Sequence, residues 1–324
     1  MPIVALTALL LALGDAATTA TPGSRSPWPV ALERALAALL EQQSQGEPGW
    51  AWDVTLFGSD EPAANTGGVI ANALLDSYRR RPHPSTLVTL IQYGEHLERA
   101  PSSERELAYK ADIEFLARAG RLGLLPHGES AAAERFAHLR ARSPSGTSEY
   151  RRIATGRGEL AAIVGYDVAL AIRAALAVNE RTYGIELAEA YLAAEPLGQR
   201  GGRDPFAVLS TAALTLALAR LDEPRLDAAL ATGRQLLVAW QRPNGAWAEN
   251  NSQTTAYALM ALAGAKGTTP ERLALERGRA WLASTQLSRG AFPAYHDGLP
   301  EPFVGPIIPL AEAEVLAALV ATAE

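Results

Sequence analysis

Three stretches of the sequence carry side chains whose types and spacing could do chemistry. Tyr295-His296-Asp297 sets a phenol, an imidazole and a carboxylate side by side in the Pro/Gly-rich segment AFPAYHDGLPEPFVG, a set able to accept and return a proton. Tyr166-Asp167 places a phenol and a carboxylate at the head of the apolar run DVALAIRAAL, and Trp50, Trp52 and Asp53 fall together in EPGWAWD. Arg157 closes an Arg-rich segment with Arg135, Arg140, Arg142, Arg151 and Arg152, suited to bidentate capture of a carboxylate or sulfate. Bland readings stand beside each: a solvated turn for Tyr295-His296-Asp297, and for the arginines a chain whose 29 basic residues include only two lysines, Lys110 and Lys266. On this reading Tyr166, His296 and Asp297 are the candidate catalytic residues. Trp50, Trp52, Arg157, Asp167, Gln253 and Tyr295 are the candidate ligand-binding residues, and Tyr257 is read as core. Asn65, Asp204 and Asn251 sit where helix N-caps belong.

Composition removes other chemistries. The 324 residues contain no cysteine, which excludes disulfides, thiolate metal sites and cysteine nucleophiles. The five histidines (His83, His96, His127, His138, His296) never stand three to five residues apart, so no compact helical zinc motif exists, and neither a metal nor a cofactor is expected. A net charge of −6 argues against a broad nucleic-acid surface, and 48% hydrophobic with 20% charged residues supplies a substantial core. Gly-x-Ser-x-Gly, Walker and HExxH patterns are absent.

The elements that must position these residues are helical. Residues 4–14, VALTALLLALG, form an apolar run followed by small residues to Ala20, which predicts a signal peptide over 1–20 although no basic residue precedes the run. Residues 21–28 read as a linker and 29–324 as one domain, secreted or periplasmic, with no membrane span after the signal region. From Pro29 onward amphipathic helical stretches alternate with Gly/Pro/Asn-rich turns, and no strand pattern appears. The stretch LLVAWQRPNGAW (236–247) superimposes on WLASTQLSRGAF (281–292) at an offset of 45. STAALTLALA (210–219) superimposes on TTAYALMALA (254–263) at an offset of 44. Repeats of that length are stacked supersecondary units. Six helix pairs follow, with first helices near 29–43, 84–99, 130–142, 183–194, 225–241 and 270–287. Their partners near 62–80, 105–120, 159–179, 205–221, 251–265 and 307–323 are poorer in charge and hence buried on most sides. The fold predicted is all-α, a closed (α/α)6 toroid in which the first and last helices meet.

The motif Gln241-x-x-x-Gly245-x-Trp247, echoed by Gln286, Gly290 and Phe292, resembles the QW repeat of squalene–hopene and oxidosqualene cyclases. Protein prenyltransferase β-subunits share that superfamily. The resemblance is specific over 225–324, weaker over 36–80, and rests on periodicity alone between 81 and 222. In such a repeat the glutamine amide satisfies helix ends, the glycine permits the reversal and the indole packs over the turn, so these six residues are expected to be structural. The resemblance implies a fold rather than an activity. The DxDD acid and the DDxxD diphosphate motif of the cyclases are missing, as is the zinc-binding cysteine of the prenyltransferases.

Three functions remain: a protein binding an apolar isoprenoid or a glycan in a central toroid cavity, a polysaccharide lyase or other carbohydrate-active enzyme, and a non-catalytic scaffold for a partner protein. For a lyase, Tyr166, His127 or His296 would serve as base and Arg157 or Asn65 as carboxylate neutraliser; for a glycosidase, Asp53, Asp167 and Asp297 would supply the carboxylates. An inner cavity lined only by Ala, Leu and Val would mark the scaffold.

Overall fold

The computed structural model of the chain describes residues 28–43, 66–105, 109–142, 159–263, 267–293 and 309–323. Among the described residues, twelve helices longer than one turn alternate between an outer and an inner layer. The outer helices are α1 (Trp28–Glu41), α3 (Pro84–Arg99), α5 (Gly128–Arg142), α7 (Arg181–Ala194), α9 (Asp227–Trp240) and α11 (Thr269–Thr285). The inner helices are α2 (Thr66–Arg80), α4 (Lys110–Arg121), α6 (Glu159–Ala177), α8 (Pro205–Leu221), α10 (Ser252–Ala263) and α12 (Pro309–Ala321). No strand occurs among the described residues.

Sequence decides which layer each helix joins. In α8 the run PFAVLSTAALTLALARL buries residues on every side, whereas α11 buries only Ala274, Gly278, Trp281 and Leu282, a single stripe at helical spacing. Each inner helix packs on the next, α2 on α4, then α6, α8, α10 and α12, and α12 returns to α2. The ring is closed, as the repeats predicted. The hairpins pair in the other register from the six pairs expected, however. Each outer helix lies chiefly against the inner helix preceding it in the chain, α3 on α2 and α9 on α8, while α1 packs on α12.

Local chemistry sets the helix ends. Asp204 caps α8, its Oδ1 accepting from Phe206 N at 2.9 Å and Ala207 N at 3.2 Å, and Pro205 supplies a preset φ at the first helical position. Asn251 Oδ1 accepts from Thr254 N at 2.8 Å. Thr268 and Glu271 close a capping box on α11.

The two repeat turns share one geometry. Gln241 Nε2 donates to Gly245 O at 2.9 Å and to Ala274 O of the next outer helix at 2.7 Å. Gln286 Nε2 donates to Gly290 O at 2.8 Å and to Ala31 O at 2.9 Å. Gly245 and Gly290 hold φ of 98° and 94°, and a Cβ on either would collide with the carbonyl oxygen of Arg277 or Arg34. Trp247 is fully buried, its Nε1 donating to Leu237 O at 2.7 Å. Phe292 has no such donor, and the equivalent carbonyl, Leu282 O, accepts from Thr285 Oγ1 at 2.9 Å.

Candidate functional site

The inner helices carry polar side chains in two layers about the ring axis. Because the chain alternates outer and inner helices, all six inner N-termini open on one face, the mouth. Nearest the mouth, Tyr166 Oη of α6 donates to Glu314 Oε1 of α12 at 2.7 Å. These two helices stand opposite each other in the ring, so the bond crosses its axis. The Tyr257 ring of α10 meets Tyr166 edge-on, with centroids 5.5 Å apart, and Gln253 lies one turn before Tyr257, near the same carboxyl.

Burial governs the protonation of this layer. Glu314 is 2% exposed, and its Oε2 accepts no hydrogen bond among the described residues. Desolvation pushes its pKa up to about 7, against the opposing influence of Tyr166, Gln253, Tyr257 and the Arg173 charge. Burial and the Glu314 charge also raise both phenols, so Tyr166 and Tyr257 are proton donors at neutral pH. Tyr166 therefore does not suit the role of base given to it from sequence. The group that can hold or release a proton near neutrality is Glu314.

Deeper along the axis, Glu114 of α4 is the centre of an ion cluster. Arg173 Nη2 of α6 approaches it at 2.8 Å, Arg220 Nη1 of α8 at 3.4 Å and Arg118 Nη1 of its own helix at 3.6 Å. Arg118 also engages Asp76 of α2 and donates to Asn72 Oδ1 at 2.8 Å. Burial works against ionised Glu114, but the three guanidiniums outweigh it and hold its pKa low. Arg118 and Arg220 lie in the last turns of their helices, where a cation also complements the helix dipole.

The other residues singled out from sequence are scattered. Asp167 pairs with Lys110 at the mouth, 2.7 and 2.9 Å from Nζ to its two carboxylate oxygens. His127 lies between inner α4 and outer α5, on the face opposite the mouth, so it does not serve as a base there. The Arg-rich segment forms no patch over its described part: Arg135 is buried, donating to Leu97 O at 2.7 Å, while exposed Arg140 pairs with Glu180. Trp50, Trp52, Asp53, Asn65, Tyr150, Arg157, Tyr295, His296 and Asp297 lie outside the described residues. Among those described, no cluster of three or more metal-ligating side chains exists.

Sequence reasoning missed Glu314, Glu114, Asp76, Arg118, Arg173 and Arg220. For Arg173, Arg220 and Glu314 one signal was available: each is a charge inside a mainly apolar inner helix, as in ALAIRAALAV or LAEAEVLAALVA, and a charge in a buried helix requires a partner.

No family model matches the chain, and no curated protein matches it. Solved structures do. The type II terpene cyclase MstE from Scytonema, in complex with geranylgeranyl dihydroxybenzoate, superimposes with a TM-score of 0.62 at 16% identity, over 91% of this chain and 97% of that one. A polysaccharide lyase superimposes with a TM-score of 0.57 at 13% identity, over 91% and 97%. A possible GH105 member from Salmonella enterica subsp. enterica serovar Paratyphi A gives 0.61 at 11%, over 94% and 97%. The chain thus has the terpene cyclase-like α/α toroid fold, which the lyase and GH105 proteins share.

Proposed function

We propose that this protein binds a small-molecule ligand at the mouth of the inner ring and acts on it through proton transfer at Glu314. The observation that carries the reading is the Tyr166–Glu314 hydrogen bond across the axis. It forms a floor beneath the mouth from a carboxyl poised near neutrality and a phenol that keeps its proton. Tyr166 orients the carboxyl and stabilises its anion, Glu314 gives or takes the proton, and Gln253 offers an amide beside them. Asp167, paired with Lys110, borders the entrance. His296 and Asp297, which precede Pro309 at the start of α12 by 13 and 12 residues, are proposed to complete the mouth together with Tyr295, Trp50, Trp52 and Arg157.

For the ligand we favour an amphipathic isoprenoid whose polar end meets the Glu314 floor. MstE, which shares the fold, is seen with a prenylated dihydroxybenzoate. A glycan is the second reading, favoured by the polar axis and by the lyase and GH105 neighbours. The charged axis speaks against an inert scaffold, for which Ala, Leu and Val alone would suffice. The acid motifs of the cyclases are absent from the sequence, and Glu314 is proposed to replace them.

A thermal-shift panel tests this reading. Geranylgeranyl lipids and triterpenes are set beside acidic and neutral oligosaccharides, with the wild type and Glu314→Gln. Stabilisation by one class identifies the ligand, since a ligand at about 100 times its dissociation constant adds about 2.7 kcal/mol. A flat panel rejects the reading. Export is part of the same proposal and rests on the apolar run 4–14 and the small residues to Ala20. Mass spectrometry of the secreted protein should find its N-terminus at Thr21, and an intact Met1 or an unexported product would refute it.

A further inference from the structure

The ion cluster deeper in the ring is not needed for proton transfer at the mouth, and its charges do not balance. Three guanidiniums, Arg118, Arg173 and Arg220, converge on two carboxylates, Glu114 and Asp76. All three share Glu114, although a carboxylate offers only about four acceptor positions and each guanidinium five donors. Arg173 Nε is buried and has no hydrogen-bond partner among the described residues. Arg220 is 40% exposed, so this one arm of the cluster meets solvent on the side of the inner C-termini, away from the mouth. The cluster thus lacks one negative charge and several acceptors, has one guanidinium partly in solvent, and presents planar forks that match a carboxylate.

We propose that the Arg118–Arg173–Arg220 cluster binds a small organic carboxylate, and that this binding is coupled to uptake of a proton by Glu314. Arg173 is the link. It pairs with Glu114 at 2.8 Å and stands two turns after Tyr166 on the same face of α6, and Tyr166 holds Glu314, so its charge acts on both carboxyls. An anion that neutralises Arg173 removes an attraction favouring ionised Glu314, which then takes a proton. Linkage makes the effect reciprocal, so protonating Glu314 strengthens anion binding. The groups facing Glu314 are Tyr166 and Arg173 of α6 and Gln253 and Tyr257 of α10. Elsewhere around α12, Asp76 of α2 is engaged by Arg118. On α1, Glu33 pairs with Arg81, Arg34 with the carbonyls of Leu287 and Ser288, and Glu41 is exposed. The proposal goes beyond the reading of Glu314 as an acid, because the anion site is measured without any substrate.

The test is calorimetric titration of the full chain with sodium acetate in chloride-free buffer at pH 6, 7 and 8, with acetamide as the neutral control. Acetate is expected to bind and acetamide not. Affinity should rise about tenfold from pH 8 to pH 6, with net proton uptake when buffers of different ionisation enthalpy are compared. Arg220→Gln should weaken acetate at least tenfold, and Arg220→Lys, which keeps the charge but loses the fork, should give an intermediate loss. Glu314→Gln should retain binding but flatten the pH dependence to under twofold. Absence of acetate binding, equal binding by folded Arg220→Gln or Arg220→Lys, or unchanged pH dependence in Glu314→Gln would each overturn the proposal. If acetate behaves as expected but no ligand class stabilises the mouth, the anion site stands and the mouth reading falls.

Discussion

Gln286 Nε2 donates to the carbonyl of Ala31, joining the end of the last outer helix to the first across 255 positions of sequence. The bond repeats, one step around the ring, the contact of Gln241 with Ala274. Subtracting the same number of residues maps Ala274 onto Ala31 and Arg277 onto Arg34, so the repeat is circular in space although the chain is not.

Gln286→Ala should therefore weaken ring closure. Two carbonyls, of Ala31 and Gly290, lose their side-chain donor, at a cost of about 1–3 kcal/mol in chemical denaturation. Gln241→Ala should cost a similar amount, and the double variant should show near-additive loss because the two turns share no partner. An unchanged midpoint in either single variant would show that the bonds do not hold the repeats.

Gly245→Ala and Gly290→Ala combine a left-handed φ with a collision against a backbone carbonyl. Each is expected to cost about 1–3 kcal/mol. Gly123 has a φ of 72° but open space around it. Gly123→Ala should cost less than either, measured by the same melts.

Trp247→Phe reproduces in one turn what Phe292 already is in the other. It leaves the Leu237 carbonyl without the indole donor and should cost about 1–2 kcal/mol, against about 3–5 kcal/mol for Trp247→Ala. No loss in Trp247→Phe would show that the hydrogen bond adds nothing to the packing.

Glu314 gives stability a pH dependence of known sign. Its folded pKa is raised to about 7 from an ordinary value of 4.5, so the folded state keeps a proton that the unfolded state has lost. Stability from this group is fully present below pH 4.5, falls as pH rises to about 7 and is flat above, a loss on the order of 3 kcal/mol. Asp112, buried against Tyr93 and raised to about 6, acts in the same direction over a narrower window. Glu314→Gln, permanently neutral, should match the wild type near pH 4 and exceed it at pH 8. Parallel pH curves for the two proteins would refute the assignment.

Glu114 runs the opposite way. Its pKa is lowered by three guanidiniums, so its contribution is present above pH 4.5 and lost on acidification below it. Glu114→Gln leaves those cations facing one another and should cost about 3–5 kcal/mol at pH 7. A neutral effect would mean that solvent, reaching the cluster through exposed Arg220, screens it.

Much of the fold was legible because it is periodic. The offsets of 44 and 45 residues, the alternation of charged and uncharged helices and the Gln-x-x-x-Gly-x-aromatic turns are local properties, and local rules read them. Asp204 and Asn251 were recognisable as caps for the same reason, since a cap bonds two or three residues ahead.

The candidate site was only partly legible. Tyr166 and Gln253 could be picked out near the starts of apolar helices, but Glu314, 148 positions after Tyr166, could not be paired with it by any local rule. The same holds for Glu114 and Arg220, 106 positions apart. Sequence alone determined the helices, their two layers and the closed ring, because the pattern of apolar side chains dictates which surfaces leave water. Only the tertiary structure decided which charges meet on the axis. Ring closure sets opposite helices face to face, and burial there lifts Glu314 toward neutrality while three arginines hold Glu114 ionised.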